Sequence, residues 1–225
     1  MVEESNRSCA RCGQNEENQL QLEAATLHQA ALYGDPEQLQ SFIRSGANIN
    51  ALEGSRDLTA LHFAVESGNK ATVKVLLDAG ADVSAQTSDG VAPLHTATAN
   101  GQFAIAKFLV EAGADVNARN KNGGTPLHAA AVFWQPKIAR LLIDAGANVL
   151  AKDSEGRSPL HEAAGHESLA VAQLLLANGA DINAADNNGD TALLVALADG
   201  SSSIKLLLNN SADVFIKDIV TGCRE

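Results

Sequence analysis

Two sets of residues in this sequence have types and spacing that could do chemistry. Cys9 and Cys12 form a C-x-x-C in a polar N-terminal stretch, the spacing of half a zinc site or of a dithiol pair. His28, His62, His95, His128 and His161 recur at intervals of 34, 33, 33 and 33 residues. A structural zinc site wants four Cys or His ligands, and no second C-x-x-C or H-x-x-x-H is present. Cys223 stands alone near the other end, so three cysteines make no disulfide framework. The expectation is two free thiols in a disordered lead, with a metal or redox protein using Cys9 and Cys12 as the alternative. The histidines cannot share one ion. Units packed like neighbouring helices lie about 10 Å apart, whereas a ligand nitrogen sits roughly 2.0–2.1 Å from its metal. No nucleophile is set beside a base and an orienting group, and no phosphate loop, zinc-protease motif or nucleophile elbow occurs. The chain reads as a non-enzyme with no metal and no cofactor.

The elements that would position these histidines repeat with them. Each lies in a similar phrase: ATLHQAA, TALHFAV, APLHTAT, TPLHAAA and SPLHEAA, with TALLVAL continuing the series at Leu194. About half a period later comes GANIN, GADVS, GADVN, GANVL, GADIN or SADVF. A fixed period of this length marks a solenoid or similar array. Thr59, Thr125, Ser158 and Thr191 stand where a helix starts and can cap its free N–H groups. Pro93, Pro126 and Pro159 fall at the first helical position, which needs no N–H. Leu127, Ala130 and Ala131 then make a short apolar face at i, i+3, i+4. A second helix follows, with inward positions such as Val73, Leu76 and Leu77, stopped by glycines such as Gly113 and Gly146. Neither helix pair can bury its face alone, so neighbours must stack.

These phrases resemble the ankyrin repeat, whose T-P-L-H-x-A-A…G-A-D-V-N-A pattern and period they match from about Gln21 to Lys217. The resemblance implies an all-α ankyrin-repeat solenoid: stacked helix-turn-helix units with protruding β-turn fingers, curved into an L-shaped stack. The expected organisation is a lead over 1–20, repeats at about 21–53, 54–86, 87–119, 120–152, 153–185 and 186–218, and a tail over 219–225. It also implies that each histidine hydrogen-bonds neighbouring loop backbone, and that a protein partner binds the concave side, on finger tips and first-helix ends. Asparagines of the D-V-N-A phrase can be substrates of an asparaginyl hydroxylase in this family; Asn117 fits best, and Asn183 less well.

Charge narrows the partner. The chain carries 16 Lys and Arg against 27 Asp and Glu, a formal net charge of −11. That works against direct binding to nucleic acid or an anionic membrane, and leaves a factor binding a basic protein tail as a further alternative. No apolar run is long enough for a membrane span, and the first residues are too polar for a signal peptide. A cytoplasmic or nuclear monomer is the expectation. Only eight aromatic residues are present, so the core must come from Ala, Leu, Val and Ile.

The fourth and fifth repeats stand out. Phe133 and the single Trp, Trp134, end one first helix, and Arg119, Lys121, Lys152, Arg157 and His166 are predicted nearby. Trp and Arg are common interface anchors. Tyr33 and Arg56 are the corresponding candidates toward the first repeat. Trp134 and Glu167 also stand where other repeats have a left-handed Gly cap, and such violations gather at functional sites. The competing reading makes Trp134 a filler beside Pro136. In the last repeat, Leu194 replaces His and Ser211 replaces a Gly stop, so fraying from about Ser201, or a cover over that end, is expected.

Overall fold

The computed structural model describes residues 27–214, and every regular element among them is α-helical. The lead with Cys9 and Cys12, and the tail with Cys223, lie outside the described residues. The chain divides into two compact units at Ser88 and Asp89.

The first unit holds α1 (residues 27–33), α2 (Pro36–Arg44), α3 (Ala60–Glu66) and α4 (Lys70–Asp78). The second holds α5 (Pro93–Ala99), α6 (Phe103–Glu111), α7 (Pro126–Val132), α8 (Pro136–Asp144), α9 (Pro159–Gly165), α10 (Leu169–Ala177), α11 (Ala192–Ala198) and α12 (Ser203–Asn209). Each odd helix and the even helix after it form one repeat, and the loop to the next repeat is a finger. The only β-type pairings among the described residues are isolated bridges, Glu53 with Leu58 and Ala185 with Thr191.

The packing follows from small residues. In the second unit Leu94, Leu127 and Leu160 are fully buried, and Ala97, Ala130 and Ala163 one turn on are equally inaccessible. Their single methyl groups let first helices approach closely, so α5 packs on α7, α7 on α9, and α9 on α11. The even helices close the layer with Ile105 and Leu109, Ile138 and Leu142, and Val171 and Leu175, all buried. This burial drives folding, since helices of seven to nine residues are unstable alone.

The histidines pin the fingers. Nδ1 of His95, His128 and His161 accepts the backbone N–H three residues earlier, at 3.2, 3.2 and 3.1 Å. Each Nδ1 is therefore an acceptor and the proton sits on Nε2. That N–H donates to a carbonyl 29 residues ahead: Gly124 at 3.2 Å, Arg157 at 3.1 Å and Asp190 at 3.0 Å. Both ring nitrogens are occupied, which leaves no lone pair for a metal. The hydroxyls of Thr125 and Ser158 also lie 2.9 and 2.8 Å from Nδ1. The predicted N-cap role takes the form of a capping box, in which the Thr125 or Ser158 side chain faces the N3 backbone while the N3 imidazole accepts the N-cap N–H. At Thr191, where Leu194 has replaced the histidine, the hydroxyl instead accepts the Leu194 N–H, at 3.5 Å. His28 differs from the others. Its Nε2 meets Ala51 O at 2.9 Å, only 23 residues on, and its Nδ1 lies 3.5 Å from Glu53 Oε2.

Candidate functional site

In the second unit, α5, α7 and the fingers beyond them enclose an open groove of about 400 Å³. Its floor is apolar, with Val91, Ala99, Val132 and Phe133, and its far end meets Asp153 and Glu162. Phe133 keeps 49% of its surface exposed and Trp134 64%. Of the two, Phe133 lines the groove, and Trp134 follows it in the chain.

Trp134 is held, not loose. It takes φ +55°, the left-handed conformation that Gly101 occupies one repeat earlier at φ +67°. Its indole N–H donates to the His166 carbonyl across the repeat junction. His166 in turn sets Nδ1 3.5 Å from Glu162 Oε2, and Arg157 Nη1 lies 3.3 Å from Glu162 Oε1. Trp134, His166, Glu162 and Arg157 therefore form one connected cluster spanning the fourth and fifth repeats. Glu162 is nearly buried at 8% exposure, and burial pushes its carboxyl above the ordinary 4.5, while Arg157 and His166 pull it back.

The remaining predicted cations lie along the fingers, each already engaged. Arg119 donates to the Lys152 carbonyl. Lys152 Nζ donates to Ala185 O at 2.8 Å. Lys121 Nζ sits 3.3 Å from Asp89 Oδ1. They clamp one finger to the next rather than presenting bare charge. Tyr33 and Arg56 belong to the first unit, where they line a groove of about 420 Å³ with Leu32, Phe63 and Glu53; Tyr33 is 81% exposed. Asn117 bridges two loops: Oδ1 accepts Asn148 N–H at 2.8 Å and Nδ2 donates to Gly146 O at 3.2 Å. Asn50 and Asn183 accept from Asp82 and Asp213 in the same way, at 2.8 and 2.9 Å.

Glu162 is the member of this cluster that sequence reasoning missed. It occupies the x of L-H-x-A-A, where the other repeats carry Gln29, Phe63, Thr96, Ala129 and Val195. A lone carboxylate at a helix position facing the next finger, with Arg157 five residues before it, was the available signal.

A family model described as ankyrin repeats, in three copies, matches residues 27–120, 116–186 and 151–218. The chain belongs to the ankyrin-repeat family. Ankyrin repeats generally mediate protein–protein interaction, and ankyrin-repeat proteins are typically non-catalytic. Two relatives share short stretches. One is an L-asparaginase of Dirofilaria immitis, 50% identical over 52 residues, which are 23% of this chain and 9% of that protein. The other is the BTB/POZ domain and ankyrin repeat-containing protein NPR1 of Malus hupehensis, 44% identical over 69 residues, 30% of this chain and 12% of that protein. The matches thus span about a tenth of either relative. Among the described residues no group of three His, Cys, Asp or Glu is placed to hold a metal, and no helix is long and apolar enough to cross a membrane.

Proposed function

We propose that this ankyrin-repeat chain is a non-catalytic recognition module that seats a segment of a protein partner in the groove of α5 and α7, anchored at Phe133 and Trp134. One observation supports the reading: a half-exposed Phe133 lines an apolar groove, and the next residue, the exposed Trp134, is fixed by its own hydrogen bond to the following repeat. A side chain held in place before binding loses little entropy on contact, which is what makes an aromatic an efficient anchor. Arg157 and His166 are site residues through their grip on Glu162, and Arg119, Lys121 and Lys152 through the finger positions they fix. Tyr33 and Arg56 offer a smaller contact surface on the first unit. The role is that of an adaptor, scaffold or inhibitory subunit in the cytoplasm or nucleus. Asn117 is the proposed hydroxylation site, and an enzyme acting there must first open both of its loop bonds.

The test is a pull-down with the wild-type chain beside a Phe133→Ala, Trp134→Ala double variant, both first shown equally helical and cooperative in unfolding. A partner captured by the wild type and lost by the variant supports the groove. A partner that binds both equally removes Phe133 and Trp134 from the interface.

A further inference from the structure

A second surface lies on α6 and α8 and shares no lining residue with the groove. Phe103, Pro136, Lys137, Arg140, Leu141 and Asp144 line an open depression of about 440 Å³. The α8 positions Lys137, Arg140, Leu141 and Asp144 are spaced i, i+3, i+4, i+7, so they form one stripe along the helix. The opposite face of α8 supplies Ile138, Ala139 and Leu142 to the core. Phe103, at the start of α6, adds a side chain that is 42% exposed.

Among the described residues the charges on this stripe have no partner. Lys137 and Arg140 join no ion pair or side-chain hydrogen bond among the described residues, unlike the finger cations Arg119, Lys121, Lys152 and Arg157. Asp144 stands four residues after Arg140, within reach of an ordinary helical pair. One helix back, Lys107 and Glu111 at the same spacing do meet, at 3.7 Å. Two cations with no partner among the described residues thus stand beside a half-exposed Phe and a Leu on a chain of net charge −11.

The geometry points to a docking site, on α6 and α8, for an acidic segment of a partner protein: a bulky apolar side chain seated against Phe103 and Leu141, flanked by carboxylates that meet Lys137 and Arg140. Charge complementarity decides the sign. A basic segment would meet two like charges against the single Asp144, and would be repelled. This surface is independent of the groove, so either can fail alone.

Short random peptides displayed on phage, selected on the wild-type chain and depleted on a Lys137→Glu, Arg140→Glu variant, test this. The variant is first checked for unchanged helicity and unfolding. The expected survivors carry Asp or Glu beside Phe, Leu or Trp. As synthetic peptides they lose about tenfold or more in affinity for the double reversal, weaken with added salt, and weaken again on Phe103→Ala. They bind the Phe133→Ala, Trp134→Ala variant as well as the wild type. Survivors that are neutral or basic, an absence of survivors, or dependence on Phe133 and Trp134 overturns the proposal. A single-stranded DNA probe bound by the wild type and lost by the double reversal overturns it in favour of a nucleic acid.

Discussion

The fourth and sixth repeats are built on the same plan and depart from it in opposite ways. In the fourth, Trp134 takes a left-handed conformation that Gly would hold without strain, and its indole reaches the next repeat. In the sixth, Ser211 does the same at φ +66°, with no side-chain hydrogen bond among the described residues. The fourth keeps its histidine clamp between Thr125 and Arg157. The sixth has Leu194 there, while Leu197 and Leu208 are 52% and 45% exposed. A departure from a repeat pattern is therefore not informative by itself. Trp134 carries a cross-repeat side-chain bond with its left-handed backbone, whereas Ser211 and Glu167 carry none among the described residues.

The largest expected effect comes from making the fourth repeat like the sixth. His128→Leu leaves the Thr125 N–H and the Arg157 carbonyl without their buried partner. Each orphaned group costs about 1–3 kcal/mol, so urea unfolding is expected to show a loss of about 2–6 kcal/mol. A loss under about 1 kcal/mol would mean that water replaces the imidazole, and the contrast between the two repeats would collapse.

The same clamp gives a pH dependence. Burial lowers His95, His128 and His161 below their ordinary 6.5, against the backbone hydrogen bonds that pull them up. The unfolded chain then takes up protons before the folded one does. Their contribution is fully present above pH 6.5 and is lost as pH falls through the lower folded values. Glu162 acts oppositely: its raised folded value means its contribution is lost as pH rises from 4.5 through that value. Three histidines against one carboxyl should make the urea midpoint fall from pH 7 toward pH 5, and His128→Leu, His161→Leu should flatten that slope. An unchanged slope in the double variant would show that the clamp does not set it.

Much of the fold was legible because repetition multiplies weak signals. One T-P-L-H phrase proves little, but six related phrases at one spacing place every first helix, and Trp134, Glu167 and Ser211 betray left-handed backbone by filling glycine slots. The site was legible only in part. Phe133, Trp134, Arg157 and His166 do come together, yet Glu162, which links the last two, sits at a position that varies freely among repeats. The engagement of Arg119 and Lys152 was hidden for another reason. Their acceptors are backbone carbonyls 33 residues ahead, and a carbonyl leaves no mark in a sequence.

A smaller effect sharpens the comparison at its glycine slots. Replacing Ser211 or Glu167 by Gly relieves a left-handed conformation worth on the order of 1 kcal/mol and removes no side-chain bond, so each variant should unfold at higher urea. Trp134→Gly relieves similar strain but gives up the indole bond to His166, itself worth about 1 kcal/mol, and should leave stability nearly unchanged. If Trp134→Gly stabilises as much as Ser211→Gly, the indole bond contributes nothing and the two repeats deviate for the same reason.

The smallest effect concerns the finger cations. Lys121 and Asp89 are 65% and 63% exposed, so water and salt screen their pair, and Lys121→Ala should cost no more than about 0.5 kcal/mol. Such a variant unfolds almost like the wild type, which makes it a clean probe of binding. If the fingers only frame the groove, Lys121→Ala leaves partner affinity within about twofold, while Phe133→Ala lowers it by about tenfold or more. If Lys121→Ala alone lowers affinity as far as Phe133→Ala does, the ion pair must open on binding. The recognised surface would then extend from the groove onto the finger tips.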